Sequence, residues 1–285
     1  MLQRAGERVV YVTRTAPVLR ARGIRTTGPQ GGWSLPAVEA HEDTCGIGTV
    51  DLVLVTLKTT ANGELARLLP PLVGPRTVVA TLQNGLGNEE WIASIVPGAI
   101  VLGVLCFTAV SRIEAGLLEV FHSGTVTIGR HSAPVDAAVL DCAARFNRAG
   151  VPARTGDRLA ELRWRKLVWN IPFNGLTIAA GGVDTSRIMA SPGLMAEARA
   201  LMEEVREVAA AEGCDIPESF LQGQMDITPK LGPYRPSSLI DHLEGRPIEL
   251  HSIWGEPVRR ADASGVPVPR IRLLLALLSA LSAGQ

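Results

Sequence analysis

Between Val50 and Lys58 the chain reads VDLVLVTLK. Apolar residues fill both sides of the strand alternation, so both faces must be covered, as in a parallel strand inside a sheet flanked by helices. That run commits the first half of the chain to an α/β arrangement. Its neighbours agree. Arg8–Thr13 (RVVYVT) is a β-branched run of strand length followed by a helix-like VLRARG, and Thr77–Leu82 (TVVATL) is another strand. Glu64–Leu72 and Glu89–Ile95 read as helices, Ala99–Phe107 as a further buried strand, and Val135–Ala149 as a helix. Val120–His122 with Thr125–Gly129 reads as a hairpin.

Beyond about Thr155 the period changes from strand to helix. Leu159–Leu176, Gly193–Glu212, Glu218–Met225, Ser237–Glu244, Pro247–Ser264 and the strongly apolar Ile271–Leu281 all carry helical spacing. The sequence therefore predicts two domains. Residues 1–156 form an α/β domain with a mostly parallel sheet, and residues 157–285 form an all-helical one.

Composition removes several classes of function. The 28 basic and 28 acidic residues cancel, leaving no electrostatic footprint for nucleic acid or an anionic membrane. The longest apolar runs, Ala99–Val110 and Leu273–Leu281, fall far short of the roughly 20 residues of a spanning helix. Nor does the N-terminus carry the apolar core of a signal peptide, so the expected location is the cytoplasm. Cys45, Cys106, Cys142 and Cys214 are widely spaced and the five histidines do not cluster, which predicts buried thiols and no metal site. The apolar last helix leaves room for a homodimer.

Within this frame one stretch, LRWRKLVWNIPFNGL over Leu162–Leu176, concentrates chemistry. Read as a helix, it puts Lys166, Asn170 and Asn174 at i, i+4 and i+8 on one face, with Trp164, Leu167, Val168 and Ile171 on the apolar side. The competing reading is a solvated amphipathic face. Asparagine is a mediocre helix former, however, so two at helical spacing need a reason. Lysine is also rare here: Lys58, Lys166 and Lys230 are the only lysines among 28 basic residues. Unlike arginine, lysine can exchange a proton near neutral pH. Pro172 removes one helical hydrogen bond and predicts a kink between the asparagines.

Ligands of doubly wound sheets bind beyond the carboxyl ends of strands. Arg14, Lys58 and the loop Gln83–Asn88 (QNGLGN) sit at such ends. An Arg at the ribose-reading position favours a 2′-phosphate, hence NADP. Against these stand a solvated Arg, a surface Lys and an ordinary Asn-Gly turn. In the helical half Ser237 and Ser238 open a helix, where an N-cap is the competing role. Glu249 competes with a solvated carboxylate near a helix start.

The stretches VDLVLVTLK, TLQNGLGNEE, WRKLVWNIPFNGLTIA and PSSLIDHLEGRPIELHSIWGEPVRRADASGVPVP resemble ketopantoate reductases (2-dehydropantoate 2-reductases), in order and with family-like spacing. The resemblance implies a Rossmann-like N-terminal domain, a helical C-terminal domain, and NADPH-dependent reduction of a small 2-oxo acid in pantothenate and coenzyme A biosynthesis. It implies that Lys166 is the general acid, that Asn84, Asn170, Asn174 and Ser237 hold substrate, and that Arg14, Lys58, Asn84 and Glu249 meet the NADP cofactor.

Two departures qualify the resemblance. The family opens with a strand and a GxGxxG loop that cradles the pyrophosphate at a helix N-terminus. Here MLQRAGERVVYVTR lines up with the end of the first helix and the second strand, so the first strand is expected to be missing. Three readings stay open: a ketopantoate reductase with a misassigned start, a paralogue acting on another 2-oxo acid, and a truncated non-catalytic member impaired in NADPH binding. The second departure is Gly182-Val183-Asp184-Thr185, where an Asn-Gly segment of the family often contributes to the substrate pocket.

Overall fold

The computed structural model describes residues 1–29 and 31–283. Its contacts divide the chain into two compact units. The first takes Met1–Thr56, Gly63–Leu82 and Glu89–Leu159, and the second takes Leu57–Asn62, Gln83–Asn88 and Ala160–Gln285. Two short segments that follow strands in the first half of the sequence thus belong to the helical unit.

The first unit runs β1 (Val10–Val12), α1 (Ala16–Arg22), β2 (Ile24–Thr27), β3 (Ser34–Leu35), β4 (Glu39–His41), β5 (Leu52–Val55), α2 (Leu65–Leu68), β6 (Val78–Thr81), α3 (Asn88–Ile95), β7 (Ile100–Glu114), β8 (Leu117–Arg130), α4 (Ala137–Arg148) and β9 (Ala153–Thr155). Strands β5, β6 and β7 are parallel neighbours, with Val53 beside Val79 and Val79 beside Val101. The larger sheet has the order β3-β2-β8-β7-β6-β5, with β9 also on β8, while β1 and β4 pair as a separate parallel ribbon. Helix α4, capped by the Asp136 carboxylate, packs Val139, Cys142 and Phe146 against Leu102, Val104 and Ile128.

Three local expectations are corrected. Val120–His122 and Thr125–Gly129 are not two arms of a hairpin but one strand, β8, antiparallel to β7. Gly124 misleads because a glycine within a strand reads as a turn but often marks a bulge or a close backbone approach. Here its φ is +67° and a Cβ would lie 1.9 Å from the Phe107 carbonyl oxygen. The expected helix Glu64–Leu72 shrinks to α2 between two 3₁₀ turns, because Pro70 and Pro71 cannot continue it. Of the thiols, Cys142 and Cys214 are buried but Cys45 is exposed.

In the second unit follow α5 (Leu159–Ala179), α6 (Thr185–Ala190), α7 (Pro192–Ala211), α8 (Glu218–Ile227), α9 (Ser237–Leu243), a π-helical turn His251–Gly255, α10 (Glu256–Ser264) and α11 (Pro269–Ser282). α5 is the central helix and continues through Pro172. Trp164, Leu167, Val168 and Ile171 are fully enclosed and pack with Val205, Trp254, Ile271 and Leu274 in one apolar cluster. Polar groups at its edges are paired: the indole N–H of Trp164 donates to Glu212 and that of Trp254 to the Ile171 carbonyl. Asp184 caps α6, accepting the amides of Ser186 and Arg187 at 2.9 and 3.2 Å. Among the described residues no helix is long and apolar enough to cross a membrane.

Candidate active site

The apolar side of α5 is spent on the core, which leaves Lys166, Asn170 and Asn174 on a shared face. Asn170 is 8% exposed and Asn174 2%. Among the described residues neither carboxamide has a hydrogen-bond partner, yet neither belongs to the polar atoms sealed from solvent without one. Buried polar groups are almost always paired. Two carboxamides on one helix face, enclosed on their flanks and open at their tips, are therefore groups waiting for something outside the chain.

The same helix grips the glycine loop. Arg163, one turn before Lys166 and itself buried, donates from Nη1 to the Gln83 carbonyl at 2.6 Å. The Gln83 amide reaches the Leu57 carbonyl at 2.9 Å and Asn62 Oδ1 at 2.7 Å. Asn62 donates to Asn88 Oδ1 at 3.2 Å, and Asn88 donates to the Asn84 carbonyl at 2.8 Å. The Leu86 amide donates to the Ser252 carbonyl at 2.9 Å. Gly85, with φ +84°, packs so closely there that a Cβ would lie 2.3 Å from that oxygen. The loop is thus fixed from both sides and is more than an ordinary turn. The half-buried Asn84 side chain has no partner among the described residues.

Lys58 and Glu249 meet in a second cluster. Lys58 Nζ donates to Asp241 Oδ2 at 2.7 Å and lies 3.8 Å from Glu249 Oε2. Glu249 Oε1 accepts the Thr59 amide at 3.0 Å, and the Thr59 and Ser252 hydroxyls are 2.8 Å apart. Glu249 is only 3% exposed, so the solvated-carboxylate reading of this residue is wrong: its carboxylate is built into the fold. The capping reading of the serines fails too. Ser237 is the first residue of α9, no side chain caps that helix, and its exposed hydroxyl has no partner among the described residues.

Lys58, Asn84, Lys166, Asn170, Asn174, Ser237 and Glu249 all fall in the second unit, whereas Arg14, exposed just beyond β1, belongs to the first. Sequence reasoning missed Asp241, Thr59 and Ser252. Asp241 lies one helical turn after Ser237, a spacing that would have pointed to it, but nothing local marks Thr59 or Ser252. Among the described residues no cluster of His, Cys, Asp and Glu could hold a metal. The arrangement offers an ammonium beside two carboxamides, a hydroxyl at a helix start, and a second ammonium poised between two carboxylates. Such a set can hold an oxygen-rich anion and stabilise negative charge as it develops.

Residues 1–133 match the family described as "Ketopantoate reductase PanE/ApbA", and residues 158–282 match "Ketopantoate reductase PanE/ApbA C terminal". A 2-dehydropantoate 2-reductase of Nostoc sp. is 36% identical over 279 residues, covering 96% of this chain and 87% of that protein. The Halobacterium salinarum protein of the same name is 30% identical, covering 96% and 88%. The crystal structure of the Geobacter metallireducens 2-dehydropantoate 2-reductase superposes with a TM-score of 0.93 at 35% identity, covering 98% of this chain and 93% of that one.

Proposed function

The chain belongs to the ketopantoate reductase family, and on that premise we propose that it reduces 2-dehydropantoate to pantoate with NADPH. The observation that carries the reading is the pair of enclosed carboxamides of Asn170 and Asn174, without partners among the described residues, on the face of α5 that also bears Lys166.

The donor set suits a nicotinamide dinucleotide. The Lys58 side chain is 47% exposed and keeps N–H donors beyond the one given to Asp241, and the Asn84 carboxamide is unclaimed among the described residues. Lys58, Asn84 and Glu249 would hold the cofactor, with Arg14 supplying a cation for a 2′-phosphate and so a preference for NADPH over NADH. When bound, the cofactor supplies a hydride to the ketone carbon. The chain does the rest. Asn170, Asn174 and Ser237 hold the substrate oxygens. Lys166 stabilises the charge that builds on the ketone oxygen as the π pair collapses onto it, then transfers a proton from Nζ to give the 2-hydroxy acid. Neutral Lys166 recovers its proton from solvent.

The reading carries with it a cytoplasmic enzyme of pantothenate biosynthesis. It also carries a homodimer, supported by the exposed stripe Leu273, Leu277 and Leu281 on α11. The test follows oxidation of NADPH with ketopantoate and a panel of other 2-oxo acids. Highest kcat/KM on ketopantoate, with Lys166→Ala lowering kcat about a hundredfold or more, is the expected result. Higher kcat/KM on another 2-oxo acid would reassign the substrate, and full activity of Lys166→Ala would overturn the role of that residue.

A further inference from the structure

Asp241 holds Lys58 but is given no part in the reaction above, although its carboxylate is bound on both oxygens. It is buried on α9, one turn beyond Ser237. Its Oδ1 accepts Arg246 Nε at 3.0 Å, its backbone carbonyl accepts the Arg246 amide at 2.8 Å, and its Oδ2 accepts Lys58 Nζ at 2.7 Å. Arg246 therefore fixes the carboxylate from one side, leaving the other oxygen for the lysine. Glu249 Oε2, at 3.8 Å from Nζ, adds attraction but lies beyond hydrogen-bond reach.

We propose that Asp241 is a positioning residue of the reductase that acts through Lys58. It pins the ammonium beside Glu249, with N–H donors to spare for the cofactor, and references it to the helix that begins with Ser237. The inference rests on the reductase reading. A lysine side chain is among the most costly to immobilise. An ammonium already held by a buried carboxylate has paid that cost before ligand arrives, which is worth about threefold to tenfold in affinity. Asparagine substitutes poorly. It puts an NH2 donor where one of the two cations now meets an oxygen, and the lost charge weakens the hold on Lys58 whichever way the amide turns.

The lysine content of the chain makes the test clean, since only Lys58, Lys166 and Lys230 carry a side-chain amine to acylate. Limited acylation of the ligand-free protein, read by peptide mass spectrometry, should label Lys58 several-fold faster in Asp241→Asn than in the parent, with the exposed Lys230 as internal reference. Equal labelling overturns the inference whether or not the protein is active. The second arm is a double-mutant cycle on NADPH affinity by calorimetry. Asp241→Asn should weaken binding about threefold to tenfold, raising KM for NADPH with kcat little changed, and should add nothing in a Lys58→Met background. Additive losses, or a fall in kcat at unchanged KM, overturn the inference. Asp241→Glu, which keeps the charge on a longer arm, should also speed Lys58 labelling and stands in if the Asn variant does not fold. A parent chain that fails to bind NADPH overturns the reductase reading. A parent that binds it, with Asp241→Asn binding equally well, overturns this inference alone.

Discussion

The Ser252 carbonyl accepts the Leu86 amide at 2.9 Å, and this bond clamps the glycine loop against the π-helical turn. Gly85 sits inside the clamp, where an added Cβ meets the same oxygen at 2.3 Å. Gly85→Ala should therefore lose about 2–4 kcal/mol in urea unfolding, from left-handed strain and a backbone clash together. Gly87 has a similar φ of +83° but only the Glu256 side chain at 3.6 Å. Gly87→Ala should lose about 1–2 kcal/mol, the strain alone. Equal losses would show that the clamp is not rigid.

Asn170→Ala and Asn174→Ala test whether the carboxamides serve a ligand or the fold. Neither carboxamide has a bond to lose among the described residues, so stability should stay within about 1 kcal/mol of the parent. Meanwhile kcat/KM for ketopantoate should fall about tenfold to a hundredfold, the worth of a hydrogen bond to a charged group. A large loss of stability with unchanged kinetics would return both residues to the core.

Glu204 reaches from α7 to the start of α11, where its two oxygens accept the Arg270 and Ile271 amides at 3.0 and 2.9 Å. It is buried and serves as the cap that α11 lacks locally. Glu204→Ala should cost about 2–3 kcal/mol in denaturant unfolding, with kcat unchanged.

Glu256 carries a pH signature. Burial pushes its carboxyl up, but hydrogen bonds from Arg259 and Arg260 outweigh burial and hold it below the ordinary 4.5. A carboxyl whose pKa is lower folded than unfolded stabilises fully above the unfolded value and loses that contribution as pH falls through the folded one. Glu256→Gln should thus be less stable than the parent at pH 7. The gap in urea midpoint should narrow below about pH 4.5, and a constant gap down to pH 3 would refute the ionic origin.

Thiol chemistry separates the cysteines. Cys45 is exposed, whereas Cys142 is buried and its thiol is pushed up to about 11 by burial and then by the Asp141 charge. An aromatic disulfide at pH 8 should modify Cys45 quickly and Cys142 only on unfolding. Rapid native-state labelling of Cys142 would contradict the packing of α4 on the sheet.

Much of this was legible in the chain because the signals were local. The two-sided apolarity of VDLVLVTLK marks β5 as a sheet strand, and the i, i+4, i+8 spacing of Lys166, Asn170 and Asn174 is a property of one helix. The residues alone leave Glu249 open between a site role and a solvated carboxylate because its partner Thr59 lies 190 residues away, and no local pattern distinguishes a solvated carboxylate from one that a distant amide will bury. Asp241 carries a local signal, its place one turn after Ser237, but its partner Lys58 lies 183 residues away. Gly124 misled in the opposite sense: its local signal is a turn, and only its tertiary approach to Phe107 makes it a bulge.

The bonds joining Thr59 to Glu249 and Ser252 span 190 and 193 residues. During synthesis at about 5–20 residues per second, the Thr59 segment must wait on the order of ten seconds or more after leaving the ribosome before its partners exist. Through that interval Lys58 lacks Asp241 and Glu249, and the glycine loop lacks the Ser252 carbonyl. A copy abandoned before Ser252 is made has no partner for the Thr59 hydroxyl or the Leu86 amide, so this corner of the helical unit is among the last parts of the chain to assemble.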